Sequence, residues 1–354
     1  MSKSDKEMPG TPGRDAAGEG GAAGRWTVAE ERYDMLERIL IRYPRWNTIL
    51  KEIAFMHRHA HRAAEPRCLM LIGQKGAGKT TLTDVYAAPY IAAPYGDTMR
   101  RPVMFATVPA RATPKGLAAA LLQGLGDPRW ALGSLDNKTL RLHDYLRRCE
   151  TRLLILDEIQ HFEEGRNASD VEEAARWLKI LIKDKSVKLA CVMVGLENRT
   201  DKLLQANDGQ LGRLFGDPYV LHPLEWVNSP DINDNEFRGF LDEVEAQLPF
   251  PQLSGLAEEE LALRCYVATN GLVNWVMRLV RRAGYLAVDL GRERIELDLL
   301  AEAFDKELAG ERRGIPNPFD GPPPAAPPPA DKEEEHAVLA GTNRRGGRRK
   351  QRAA

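Results

Sequence analysis

Eight consecutive residues carry the sharpest chemical signal. Gly73 to Thr80 read GQKGAGKT, the spacing at which glycines let main-chain N–H groups close around phosphate oxygens. In that arrangement Gly73, Gln74, Lys75, Gly76, Ala77 and Gly78 form the cradle, and Lys79 neutralises the β- and γ-phosphates. Thr80 ligates Mg2+, and Thr81 continues into a helix whose N-terminus favours the anion. A second cluster, LLILDE from Leu153 to Glu158, is an apolar run ending in adjacent carboxylates. Asp157 is placed to hold Mg2+ through water and Glu158 to polarise the attacking water, so the two clusters together predict hydrolysis of ATP as well as binding. Each is weaker alone, because a glycine loop can be structural and a strand ending in acids commonly leads out to solvent.

Other reactive-looking patterns have plainer readings. Three histidines in HRHAHR, His57 to Arg62, would fan around a helix, whereas zinc ligands on one helix use i, i+4 spacing, so they read as a solvated helix end. DINDNE from Asp231 lacks the glycine and glutamate a calcium loop needs and reads as the approach to a helix. The four cysteines, Cys68, Cys149, Cys191 and Cys265, are far apart without a CxxC pair; they read as small apolar residues in a reducing compartment.

The elements that must position these residues follow from hydrophobic period. From Arg67, short apolar runs alternate with amphipathic helices, the pattern of a parallel sheet flanked by helices. Strands are expected at Cys68 to Ile72, Val103 to Thr107, Leu153 to Leu156 and Lys188 to Val194. Thr113 and Pro114 cap and open a helix over Lys115 to Gln123; Ser169 with Glu172, and Thr27 with Glu30, form capping boxes. After Trp226 the chain reads as helices at Glu236 to Gln247, Leu256 to Ala268, Leu272 to Val288 and Leu299 to Leu308, with Asn270-Gly271 as a tight link. The expected fold is α/β, an αβα P-loop core with a parallel sheet followed by a small helical lid. Its divisions are a disordered segment 1–24, N-terminal helices 25–66, the ATPase core 67–226, the lid 227–313 and a Pro-rich linker with a basic disordered tail 314–354.

A parallel core followed by a helical lid resembles the AAA+ ATPases, which work as rings or filaments with nucleotide between protomers. The resemblance implies three further residues. Asn198, after the fourth strand, is the candidate γ-phosphate sensor, with Glu197 as its rival. Arg213 is the candidate arginine acting on a neighbouring subunit, with Arg199 as competitor. Arg278 is the candidate second sensor from the lid, against the reading of a solvated cationic face.

More narrowly, the chain resembles the TniB and TnsC group of transposition ATPases, relatives of the phage Mu ATPase MuB. The likeness spans about Tyr33 to Ala287 and rests on RILIRYPRWNTILKEI, LMLIGQKGAGKTTL, VMFATVPARATPKGLAAALLQGLG, LLILDEIQHF, VMVGLENR and LGRLF followed by PLEW. It implies an ATP-dependent, largely sequence-nonspecific binder of duplex DNA that forms a homo-oligomeric ring or helical filament on target DNA. Such a protein recruits or activates a DDE transposase, in some systems with a TniQ-type targeting protein, and hydrolysis drives disassembly. The matching DNA-contact positions are Arg111, Thr113 and Lys115 after the second strand, and Arg166, Lys183 and Lys185 after the acidic strand. Gly195-Leu196 departs from the Gly-Thr usual in the group, and the Pro-rich tail with its basic end has no counterpart.

Composition narrows the alternatives. With 354 residues, 43% hydrophobic and 29% charged, fibrous and wholly disordered classes are excluded. The absence of a leader-like start or a long apolar run predicts a cytoplasmic protein that makes no use of a membrane. A net charge of −1 argues against nucleic acid until its distribution is considered, because Gly341 to Ala354 holds six basic residues and no acid. Rival readings are another AAA+ machine, such as a helicase loader or a secretion-associated ATPase, and a signalling switch in which nucleotide controls partner binding.

Overall fold

The structure, a computed structural model, describes residues 19–95, 98–164, 167–229 and 231–325. Arg166 and the basic end of the chain lie outside the described residues. In chain order the elements are α1 (Glu19–Arg38), α2 (Pro44–His59), β1 (Cys68–Gly73), α3 (Lys79–Ala87), β2 (Ala93–Tyr95), β3 (Thr98–Arg100), β4 (Val103–Thr107), α4 (Pro114–Gly124), α5 (Leu135–Arg148) and β5 (Leu153–Asp157). They continue as α6 (Ala168–Ile182), β6 (Ala190–Leu196), α7 (Asp201–Gly209), α8 (Gly212–Phe215), β7 (Tyr219–Leu221), α9 (Glu236–Glu245), α10 (Glu259–Thr269), α11 (Val273–Asp289) and α12 (Leu297–Glu307). Two compact units result: a sheet unit of Arg42–Leu224 with Thr269–Val276, and a helical unit gathering the described parts of Met1–Ile41, Glu225–Ala268 and Met277–Ala354.

In the sheet unit five parallel strands run in the order β4-β5-β6-β1-β7. The central runs LLILD and ACVMVG are buried throughout, as strands covered on both faces must be, and this is why they are continuously apolar rather than alternating. Leu121 of α4, Leu142 and Leu146 of α5, and Leu178 and Leu181 of α6 fill one layer against Leu154 and Met193. Because all five strands point the same way, the segments after β1, β4, β5 and β6 emerge at one edge. β6 lies between β1 and β5, so the glycine loop and the Asp-Glu pair are two strand spacings apart, roughly 10 Å.

The four expected strands are present with small boundary shifts. β7 and the β2–β3 hairpin were not foreseen, because three-residue strands are too short to show a period. Thr113 caps α4 as expected, accepting from Gly116 N at 3.0 Å. The other two capping boxes are corrected. α6 is capped by Asn167, which accepts from Asp170 N at 2.9 Å, and Ser169 lies in its first turn; Asn is as good a cap as Ser and comes first. α1 already begins at Glu19, so Thr27 lies inside it and not at its start.

In the helical unit the C-terminal carbonyls of α1 are satisfied by Arg281 of α11, whose Nη2 donates to Glu37 O at 3.0 Å and Ile39 O at 3.2 Å. Leu36 fills the space left by Gly284, where a Cβ would lie 2.7 Å from it. The segment read as N-terminal helices 25–66 is therefore shared, with α1 in the helical unit and α2 in the sheet unit. Beyond Arg313, where the sequence reading ended the folded part, the chain stays packed. Phe319 is buried near Phe304, and the buried Arg264 guanidinium donates to Pro318 O at 2.8 Å and Gly321 O at 3.1 Å. Proline content hid this strap, since Phe319 is its single aromatic residue. Among the described residues no helix is long and apolar enough to cross a membrane.

Candidate functional site

The glycine loop leaves β1 under steric constraints that the sequence satisfies residue by residue. A Cβ at Gly73 would lie 2.5 Å from Leu221 O of β7. Gly76 and Gly78 hold φ of 87° and 92°, the left-handed region that glycine adopts without strain. A side chain at Gly78 would also meet the Trp46 ring at 3.2 Å, and one at Gly76 would meet Asn274 at 3.4 Å. Lys79 opens α3, buried, its Nζ donating to Gly73 O and Gln74 O at 2.9 Å each. Burial lowers its pKa below the ordinary lysine value, opposed by Asp157, Glu158 and Glu197. Its charge thus meets main-chain oxygens directly and carboxylates only through space.

Thr80 Oγ1 donates to Asp157 Oδ2 at 2.6 Å, and Glu158 N donates to Asp157 Oδ1 at 2.7 Å. Burial, with the Glu158 charge adding to it, raises Asp157 above the ordinary carboxylate range despite those two donors and Lys79. Glu158 takes a left-handed backbone, φ 58° and ψ 39°, which turns the chain sharply at the strand end. Its Oε2 accepts from Gln160 Nε2.

This arrangement fits a phosphate-bearing nucleotide with a hard cation. The cradle closes only with glycine at 76 and 78, and the buried Trp46 Nε1 beside it has no hydrogen-bond partner among the described residues. A threonine hydroxyl paired with a carboxylate whose anionic form is disfavoured is the oxygen donor set that Mg2+ stabilises.

At the end of β6, Glu197 N reaches Gly73 O at 3.4 Å, whereas Asn198 is exposed with φ 60°. Of the two sensor candidates, Glu197 is therefore the one whose main chain touches the loop. Arg213, on the four-residue helix α8, and Arg199 are both exposed. Arg278 stands in the helical unit, held by Glu311 Oε1 at 2.6 Å, Glu307 Oε2 at 3.4 Å and Glu307 O. To meet a phosphate it would have to leave those acceptors. Asn274, which sequence reasoning passed over, donates its main-chain N–H to Gly76 O at 3.1 Å. The Asn270-Gly271 link, at φ 49° and 71°, turns the chain into that contact.

The DNA-contact candidates fall at two edges of the sheet. Arg111, with φ 54°, Thr113 and Lys115 follow the C-terminal end of β4 and share the edge of the glycine loop. Thr113 Oγ1 is already engaged as the α4 cap. Lys183 and Lys185 precede β6 and lie at the opposite edge, Lys183 paired with Glu65 at 3.3 Å. The histidine stretch is also at that edge, and His57 is not solvated as expected: it is buried, with Nδ1 3.0 Å from Tyr86 OH.

Residues 33–219 match the family model described as bacterial TniB protein. No curated protein is significantly similar in sequence. Among solved structures, the Aeropyrum pernix ORC1 protein in complex with DNA is 19% identical, with 80% of this chain and 69% of that chain covered and a TM-score of 0.52. Cdc6p from Pyrobaculum aerophilum is 18% identical over 80% of this chain and 74% of that one, TM-score 0.54. The A. pernix ORC2 protein in its ADPNP-ADP complexes is 16% identical over 78% and 70%, TM-score 0.54. At such identities the likeness is one of fold, and the fold is that of the α/β P-loop AAA+ ATPases.

Proposed function

Because the chain belongs to the bacterial TniB family, we propose that it is an ATP-dependent, largely sequence-nonspecific DNA-binding AAA+ regulator of transposition, acting in the cytoplasm. It assembles on target duplex DNA as a homo-oligomeric ring or filament, recruits or activates a DDE transposase, with a TniQ-type protein as a further partner, and disassembles on hydrolysis. The observation that carries this reading is the convergence of Lys79, Thr80, Asp157 and Glu158 at one strand edge, the edge at which Arg111 and, in the first turn of α4, Lys115 follow β4.

The chemistry follows from those groups. Main-chain N–H groups of residues 73–81 receive the phosphates, and Lys79 exchanges its two carbonyl acceptors for phosphate oxygens. Thr80 and Asp157 would hold Mg2+, which supplies positive charge against the phosphates. Glu158 orients and polarises the attacking water, and leaving Gln160 is part of that task. Glu197 or Asn198 at the end of β6 senses the terminal phosphate. Arg213 of a neighbouring copy, or Arg199, balances the charge that develops on the transferred group. Arg111 and Lys115 contact phosphates of the duplex, which gives salt-sensitive binding of any sequence.

Electron microscopy of the full chain with duplex DNA and a slowly hydrolysed ATP analogue tests the proposal. Rings or filaments on DNA that require the analogue are expected. Their absence, with nucleotide bound, would leave an ATPase of another role.

A further inference from the structure

At the edge of the sheet away from the glycine loop, the chain entering β4 and β5 borders a cavity of about 680 Å³ that opens to solvent. Its wall comes from segments distant in sequence. His57 and Arg58 lie in the last turn of α2, Tyr90 follows α3, Arg100 closes β3, and Glu150 and Arg152 lead into β5. Among the described residues that line it, three guanidinium groups meet one carboxylate. That carboxylate is already engaged, since Arg100 Nε donates to Glu150 Oε2 at 2.8 Å.

The main chain fixes this arrangement. Arg152 N donates to Pro102 O at 2.9 Å, and Arg152 O accepts from Ala190 N at 2.8 Å, so the residue is pinned between β4 and β6 and its side chain is half-buried. Arg101 N donates to Cys149 O at 2.7 Å, which ties the Arg100 segment to the same turn. The aromatic side is fixed as well. Buried His57 places Nδ1 3.0 Å from Tyr86 OH, and its ring stands edge-on to Tyr90 with centroids 4.9 Å apart. Burial, with the Arg152 charge adding to it, holds His57 below the ordinary histidine value. The excess charge therefore belongs to the arginines.

Arg141 shows how this chain closes an arginine that serves the fold: Asp127 Oδ2 lies 2.9 Å from its Nε, and Arg129 O and Leu132 O accept from Nη2. The cavity does the reverse. Like charges kept around one space repel, and an anion that enters relieves the repulsion. Guanidinium groups present their N–H donors as planar forks that match phosphate oxygens. A planar carboxylate is met by one fork, whereas a tetrahedral phosphate offers oxygens in several directions, as arginines arriving from separate segments require.

We propose that this cavity is a second phosphate-binding site, in which Arg58, Arg100 and Arg152 hold a phosphate group and Tyr90 and His57 form the wall beside it. The group belongs to a small phosphate ester or to a nucleic-acid backbone, which share this chemistry. The site is separate from the phosphate loop and does not rest on the DNA reading above.

The test is calorimetric titration of the full chain with pyrophosphate, in excess ADP so that the phosphate loop is filled. One further site is expected. Arg152→Ala and Arg58→Ala should each weaken it at least about tenfold, the equivalent of one charge-assisted hydrogen bond, with ADP affinity unmoved. Arg58 is exposed on a helix surface, so its variant keeps the test decisive even if Arg152→Ala fails to fold. Lys185→Ala removes a charge from the same edge outside the cavity and should leave the affinity unchanged; a loss equal to that of Arg152→Ala would mean diffuse surface charge and overturn the site. So would a wild-type affinity weaker than about 1 mM, or a signal lost in Lys79→Ala and kept in Arg152→Ala. Where the site is present, displacement of pyrophosphate by a duplex with 5′-hydroxyl ends assigns the phosphate to a DNA backbone, and failure to displace it assigns a small phosphate ester.

Discussion

The phosphate loop of the sheet unit and the α11–α12 face of the helical unit each hold a cation, and they hold it in opposite ways. Lys79 Nζ touches two main-chain oxygens and no carboxylate directly. Arg278 is ion-paired to Glu311 and Glu307. A buried charge whose direct partners are neutral retains most of its field for an incoming anion, whereas one already matched by two carboxylates has little left to offer. The contrast is between a cation left open to an anion and one already closed by acids, although the sequence reads both as candidates for meeting the phosphates.

The largest test of that contrast is Lys79→Ala. It should lower ATP turnover by at least about 10³-fold, measured as phosphate release, while thermal stability changes little; a protein that unfolds instead would make Lys79 structural too. Glu158→Gln should cost turnover about 10²-fold or more with nucleotide affinity retained, and normal turnover would remove Glu158 from its role. In the helical unit the effects should appear as stability. Phe319→Ala is expected to destabilise that unit by about 3 kcal/mol, as a truncated buried ring does, with nucleotide affinity unmoved in a fluorescent-analogue titration. Arg278→Ala should follow at about 1–2 kcal/mol; a large loss of nucleotide affinity would show that Arg278 does leave its carboxylates for the phosphates.

The smallest effect concerns pH at the far edge of the sheet unit. Burial and the Arg152 charge keep the His57 pKa below the usual 6.5, so the unfolded chain takes up the proton first. His57 therefore stabilises the fold fully above about pH 6.5, and its contribution is lost as pH falls through the lower folded value. Urea midpoints measured from pH 7.5 to 5 should decline, and His57→Gln should flatten the decline.

The octet, the Asp-Glu pair and the strands carrying them were readable because each is local: a run of neighbouring residues whose chemistry and burial are coupled. The partners of Arg278 could not be read from sequence, because Glu307 closes the next helix and Glu311 lies beyond it, and helical periodicity assigns a face but not a partner. Lys183 and Lys185 looked like companions of Arg111 because they follow the acidic strand in sequence. Strand direction places them at the opposite edge, and no spacing along the chain encodes that. The Arg264 strap and the Asn274 contact escaped for the same reason, since each is a hydrogen-bonded meeting of segments distant in sequence. The one signal that could have exposed the strap is Phe319, an aromatic residue among prolines.

Trp46 gives the molecule a built-in optical reporter. Its indole lies under Gly78, close enough that a methyl group on that glycine would touch it, and its N–H is buried without a partner among the described residues. Indole emission depends on such nearby dipoles and charges, so filling of the loop should shift or quench one of the six tryptophans without any attached dye. Loss of the signal in Trp46→Phe would assign it, and stopped-flow fluorescence could then time the arrival of nucleotide separately from its hydrolysis.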